Sequence, residues 1–446
     1  MSQPIAAPVQ SNETVQALAH RARGASRALA KLPLETRNKV LLAAADALEQ
    51  NSARILEANA RDCAAVQPDV ASGKMSSAMF KRLRVTESGV AQMAAQVREV
   101  ARLADPLGRT LAATELDDGL ALYRESCPLG VVGVIFESRP DVVPQLASLA
   151  LKSGNAAIMK GGSEAAETNE TLVAIWRESL ASFPEVPADS ISLLHSRADV
   201  LELLAQDHDV DLIIPRGSYE LVHFIMKNSR IPVLGHGEGI CHVYVDRAAD
   251  MKKAVDITYD SKVQYPAVCN AAETLLVHEA IAREFLPKAV AKLKEAGVEI
   301  RGDARTRALL PGETIVPVTE KDWRTEYGDL ILSVKVVGDL DEAIEHINAY
   351  GSRHTDTIVT EDAAAAKRFM NEVDSAGVYQ NASTRFSDGY RYGFGAEVGI
   401  STSKLHARGP MGLEGLTSYK YKLFGNGHTV AEYAKGEKTF KHRLLE

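Results

Sequence analysis

A chain of 446 residues, 46% hydrophobic and 25% charged, is too long for one ordinary hydrophobic core, so two substantial domains of a globular protein are expected. Its 51 Lys and Arg against 59 Asp and Glu give a net charge of -8, which argues against a general nucleic-acid binder. It leaves room for a local basic pocket, because a small anion is held by a few placed groups and not by net charge.

Taken in chain order, the opening MSQPIAAPVQSNE has no basic start followed by an apolar run, and the longest apolar stretches, such as 129–136, are far too short to span a bilayer. A cytoplasmic, unanchored protein is expected. The first hundred residues show helix-period apolar spacing, at Leu41, Ala44, Ala45 and Leu48 and again at Val90, Met93, Val97 and Val100. In TLAATELDDGLALYRES two alternating runs flank Asp117-Asp118-Gly119, which predicts a β-hairpin over 110–126. From Gly130 the pattern changes to short apolar runs followed by helical segments: GVVGVIF, AAIMK, SISLLH and DLIIP each precede one. That alternation predicts βαβ units and a mostly parallel sheet, the frame of a nucleotide-binding α/β domain. The glycines of IPVLGHGEGICHVYVD separate this series from a second one, with ETLLVHE, TIVPV, LILSVKVV, TDTIVTED and AGVYQN as strand candidates, so a second α/β domain is expected from about residue 239. LTSYKYKLFGNG near the end reads as one more strand, before a charged tail.

Four cysteines, Cys63, Cys127, Cys241 and Cys269, form no CxxC pair, which disfavours a zinc site and a disulfide framework and fits a reducing cytosol. Cys63 on a helix, Cys127 before Pro128, and Cys241 in the alternating run ICHVYVD read as packing residues. Cys269, in DSKVQYPAVCNAAETLLVH, sits between a Pro-containing turn and a strand. A thiol there can face a cleft and attack a carbonyl carbon, and it can equally be a small buried hydrophobe. Lys160 closes AAIMK ahead of two glycines and a helix, and Arg216, Gly217 and Ser218 follow IIP in the same way. Both turns suit an anion at a helix N-terminus, and both have the composition of a plain strand-to-helix turn. Gly235, Gly237 and Gly239 depart from the dinucleotide-binding spacing and open no long helix. His354 follows a loop and precedes a strand, so it can reach a cleft or remain a solvated loop histidine.

Together GVVGVIFESRP, SGNAAIMKGG, PRGS, VLGHG, the Cys269 segment, EYGDLILSVKVV and INAYGSRHTDTI stand in the order seen in the aldehyde dehydrogenase superfamily, over most of the chain. The ESRPD, MKGGSEA and GSRHTD versions resemble the gamma-glutamyl phosphate reductases in particular. That resemblance implies an aldehyde dehydrogenase-like α/β fold with a Rossmann-like cofactor domain (1–109 and 127–238), an α/β catalytic domain (239–405), and a small β oligomerisation element with a tail (110–126 and 406–446). It implies Cys269 as covalent nucleophile. It also implies NADP(H) as cofactor, with Lys160 at the adenosine ribose or its phosphate and Ser163 where NAD-preferring relatives often carry a glutamate that would repel a 2′-phosphate. Glu164, one position on, weakens that contrast. Gly217 and Ser218 match the pair near the pyrophosphate, and Glu326 resembles the glutamate that holds the nicotinamide ribose.

Two departures from the hydrolytic relatives bear on mechanism. Where those carry the glutamate that activates water, this chain has Val233 in Val233-Leu234-Gly235-His236, which fits a thioester kept from water until hydride arrives. Where they carry an oxyanion-binding asparagine, this chain has Arg139, available to a substrate phosphate or carboxylate or to a structural ion pair. Arg139, His354, Asn381, Ser383 and Thr384 are the candidate substrate contacts. The implied reaction is NADPH-dependent reduction of L-glutamyl 5-phosphate to L-glutamate 5-semialdehyde and phosphate, in proline biosynthesis, with no metal. A homo-oligomer and a transient contact with glutamate 5-kinase are implied as partners. The readings left open are another acylating or oxidising aldehyde dehydrogenase and a non-catalytic scaffold of the same fold.

Overall fold

The computed structural model describes residues 14–235 and 237–445. The opening MSQPIAAPVQSNE, His236 of the VLGHG motif and Glu446 of the charged tail lie outside the described residues. The chain forms two compact units. One comprises the described part of Met1–Gly217 with Phe224–Val233 and Leu416–Glu446, the other Ser218–His223 with Leu234–Gly415.

In the first unit the helix-period spacing produces helices Val15–Leu29, Leu34–Gln50, Ser52–Ala65 and Glu87–Arg102, whose apolar stripes at Val40, Leu41, Ala44, Leu48 and Val90, Met93, Val97 are buried. The four apolar runs after Gly130 form a parallel sheet in the spatial order Ile191–Leu193, Ala156–Lys160, Val131–Phe136, Leu212–Arg216. Helices between the strands cover this sheet, so every residue of Val131–Phe136 and Ala156–Lys160 is buried. Gly133 lets the strands close up, since a Cβ there would stand 2.5 Å from Ile213 Cδ1. Strands Thr110–Asp117 and Leu120–Pro128 pair antiparallel through a turn in which Gly119 adopts φ 71°. Thr417–Phe424 adds to the hairpin along its length, and Arg443–Leu444 adds on the other side.

The second unit is built on a seven-stranded, all-parallel sheet, in the order Val316–Pro317, Glu299–Gly302, Ile331–Val337, Ala272–His278, Cys241–Val245, Thr355–Val359, Gly377–Gln380. Its core gathers Val243, Val245, Leu275, Val277, Phe285, Leu286, Val290, Leu332 and Val334. Two readings change here. TIVPV supplies only the two-residue edge strand Val316–Pro317. ICHVYVD, read as alternating, is buried at every position of Cys241–Val245, because the strand is central and covered on both faces. Among the described residues no helix is long and apolar enough to cross a membrane, and no group of three or more His, Cys, Asp or Glu side chains is placed to hold a metal ion.

Candidate active site

Cys269 lies in the turn between helix Met251–Val263 and strand Ala272–His278, half-buried. Parallel pairing brings the openings of neighbouring strands to its side. Cys241, first residue of its strand, places its sulfur 3.3 Å from the Cys269 carbonyl oxygen, and its thiol donates there. His354, one residue ahead of Thr355–Val359, brings Nε2 within 3.3 Å of Cys269 Sγ. On the other edge of the imidazole, Nδ1 is 2.9 Å from Thr355 Oγ1 and 3.7 Å from Cys241 Sγ. One histidine ring therefore stands between two thiols in different surroundings. Cys241 is fully buried, and burial pushes its thiol well above the ordinary range, so it stays protonated at neutral pH. Cys269 keeps an exposed face.

The backbone around Cys269 is fixed from three sides. Gly239 packs against it so closely that a Cβ there would overlap the Cys269 carbonyl, and the Gly239 N–H donates to Glu326 Oε2 at 2.9 Å. Glu326, the candidate ribose contact, is thus tied to a residue packed against Cys269. Next to it, the Gly328 N–H donates to Glu273 Oε1 at 3.3 Å, and Glu273 is paired with Lys262 at 2.6 Å, both side chains buried. Burial pushes the Glu273 carboxyl up to about 7 and the Lys262 ammonium down, each against the pull of its partner.

On the third side, the loop after strand Gly377–Gln380 is fastened to the Cys269 turn. Thr384 Oγ1 donates to the Asn270 carbonyl (2.7 Å), Asn270 Nδ2 donates to the Ser387 carbonyl (2.8 Å), and Ser261 Oγ takes the Thr384 N–H (3.2 Å) and donates to Ser383 Oγ (3.1 Å). Ser383 and Thr384 thus hold the loop to the turn. Asn381, at φ 51°, accepts from the Thr360 N–H (2.9 Å) and donates to the Thr360 carbonyl (3.0 Å), which locks the loop's entry to the neighbouring strand. Cys241, Asn270 and Thr355 escape sequence reasoning as neighbours of Cys269, since no local pattern sets any of them apart.

The other candidate residues lie at strand ends of the four-stranded sheet. Lys160 is buried at the end of Ala156–Lys160, its Nζ donating to the Gly161 carbonyl (2.6 Å), and burial lowers its pKa. Ser163 opens the short turn Ser163–Ala165 ahead of helix Ala166–Leu180. Glu164 is turned away from that role: its Oε1 accepts from both the N–H and Oγ of Ser138, each at 2.7 Å, and Ser138 adopts φ 43° beside the half-buried Arg139. Gly217 follows strand Leu212–Arg216, and Ser218 caps helix Tyr219–Asn228 by accepting from the Leu221 N–H at 3.4 Å.

Residues 3–309 match the aldehyde dehydrogenase family. The gamma-glutamyl phosphate reductase of Synechococcus sp. (strain JA-2-3B'a(2-13)) is 56% identical over 423 residues, covering 95% of this chain and 92% of that one. The chain belongs to this family of reductases, within the aldehyde dehydrogenases. The gamma-glutamyl phosphate reductase of Natronomonas pharaonis is 53% identical over 97% of this chain and 98% of its own. The crystal structure of gamma-glutamyl phosphate reductase from Thermotoga maritima superposes with a TM-score of 0.90 at 42% identity, covering 94% of this chain and 100% of that one. The aldehyde dehydrogenase-like fold expected from the ordered motifs is thereby established, and with it the family to which Cys269 and its surroundings belong.

Proposed function

We propose that this chain reduces L-glutamyl 5-phosphate to L-glutamate 5-semialdehyde and phosphate through a thioester on Cys269, in proline biosynthesis. The observation that carries the mechanism is the 3.3 Å approach of His354 Nε2 to Cys269 Sγ at a half-exposed turn. With the ring proton on Nδ1, bonded to Thr355 Oγ1, Nε2 can take the thiol proton as the sulfur attacks the acyl carbon. The carbon–oxygen bond to phosphate then breaks, and the backbone N–H groups of the 269–270 turn are available to the oxyanion formed on the way. A bound nicotinamide cofactor supplies the hydride that reduces the thioester carbon. Collapse of the resulting thiohemiacetal releases the aldehyde and returns the sulfur as thiolate, for which His354 holds the proton. With Val233 at the hydrolytic position, the thioester has no activated water to fear from that side chain.

NADP(H) is the cofactor we assign. Lys160 and Ser163 offer a cation and a hydroxyl to a 2′-phosphate, and the carboxylate of Glu164 is held by two hydrogen bonds from Ser138. Glu326 is suited to the nicotinamide ribose, and Gly217 and Ser218 to the pyrophosphate. Arg139 and the 381–384 loop are assigned to the acyl substrate. We further propose a cytoplasmic homo-oligomer joined through the sheet that carries Thr417–Phe424, where Tyr419, Tyr421, Leu423 and Phe424 are exposed. Instability of the acyl phosphate favours a transient contact with glutamate 5-kinase.

The reverse reaction tests the proposal. Purified protein given glutamate semialdehyde should reduce NADP only when inorganic phosphate is present, and Cys269→Ala should lose about 10⁴-fold or more in turnover. A requirement for CoA, or turnover with water as sole acceptor, would replace this reading with another aldehyde dehydrogenase.

A further inference from the structure

Arg385 projects from the loop fastened to the nucleophile turn, and nothing above gives its side chain a task. It is 6% exposed. Its Nε donates to Gln264 Oε1 at 2.9 Å, five residues ahead of Cys269. Among the described residues no carboxylate comes within the 4.0 Å that defines an ion pair with its guanidinium. Asp388 and Asp260 act on it only through space, while Arg391 adds positive charge and donates to the Arg385 carbonyl at 2.5 Å. Burial and Arg391 together lower the pKa of this guanidinium, while Asp388, Cys269 and Asp260 oppose that shift.

The loop does not need this side chain to hold its shape. Thr384, Ser383 and Asn270 fasten it, and the Arg385 N–H is itself satisfied by Ser383 Oγ at 3.2 Å. A buried cation without a counter-ion is costly unless an anion arrives to meet it. The planar guanidinium fork, with Nε already committed to Gln264, leaves its terminal nitrogens for two parallel hydrogen bonds to a carboxylate or phosphoryl group.

We propose that Arg385 receives an oxyanion of the acyl substrate, its carboxylate or its phosphoryl group, and so selects anionic acyl donors for Cys269. This rests on the reading of the same site given above and names the group that recognises the substrate's charge. The test is protection of Cys269 against iodoacetamide, with L-glutamate, inorganic phosphate or neutral butyramide as probe. In the wild type at least one anion should slow labelling where butyramide does not. In Arg385→Gln the half-protecting concentration of that anion should rise about 10-fold or more, with partial recovery in Arg385→Lys. Loss of glutamate protection assigns the carboxylate, and loss of phosphate protection assigns the phosphoryl group. Equal protection of wild type and Arg385→Gln, or none in the wild type, overturns the proposal. Should Arg385→Gln not fold, Gln264→Leu, which frees Nε and keeps the charge, should weaken protection several-fold, and unchanged protection there is equally fatal. Labelling requires no turnover, so an enzyme without phosphate-dependent activity but with Arg385-dependent protection would break the proposed reaction and leave this recognition standing.

Discussion

In the four-stranded sheet Lys160 and Arg216 close their strands and Ser138 and Arg139 follow one, so the candidate anion groups collect at carboxyl ends. In the seven-stranded sheet Cys241 opens a strand, while Cys269, Glu326 and His354 each precede one, so the groups proposed for the reaction collect at amino ends. The two ends offer different chemistry. A carboxyl end runs into a glycine turn and a helix N-terminus, and what it presents is largely backbone N–H and one cation, suited to phosphate. The amino ends present side chains, and their mutual placement is set by register: His242 pairs with Asp356 and Thr274, and Thr274 with Ser333, which brings the strand openings level. Covalent chemistry needs side chains at fixed separations, and here the amino ends supply them.

The largest effect that would break this contrast lies under the seven-stranded sheet. Lys262→Met leaves Glu273 buried without its counter-charge and should cost about 3–5 kcal/mol of stability in urea unfolding. Adding Glu273→Leu should recover most of that, and failure to recover would mean that the cost does not come from the stranded charge. Next, His354→Gln keeps a polar group of similar reach beside Cys269 but cannot carry a proton, so turnover should fall about 10²- to 10³-fold. A variant with unchanged turnover would remove His354 from the chemistry. The smallest effect belongs to the carboxyl ends: Lys160→Met should raise KM for NADPH about 10- to 100-fold with little change in kcat at saturation, and the change for NADH should be smaller. Equal losses with both cofactors would place Lys160 somewhere other than at the 2′-phosphate.

These ends were unequally legible in the sequence. AAIMKGGSEA and IIPRGSYE show strand, glycine and helix start in direct succession, so Lys160, Gly217 and Ser218 can be picked out from neighbours alone, whereas Ser163 comes only with the family motif. Cys269, Glu326 and His354 are separated by dozens of residues, and no local pattern joins them. Cys269 and His354 stand out only as junction residues that can reach a cleft, Glu326 comes only with the ordered family motifs, and only the sheet register shows that His354 reaches the sulfur and that Cys241 stands behind the ring. Arg385 escaped for a similar reason: an arginine in a polar loop reads as solvated, and its burial depends on Gln264, Ser383 and Asn270 meeting from distant parts of the chain. ICHVYVD was misjudged because a histidine in a strand suggests a wet face, whereas His242 is held inside by two hydrogen bonds to Asp356, each at 2.8 Å.

Gly239 carries a consequence for how such a chain can vary over generations. Its Cα faces the carbonyl of Cys269 with no room for another atom, and every codon change that alters a glycine adds at least a methyl group. Drift at position 239 would therefore have to displace the backbone that carries the Cys269 sulfur, so this codon is bound to the geometry of the site and not only to the packing of the core.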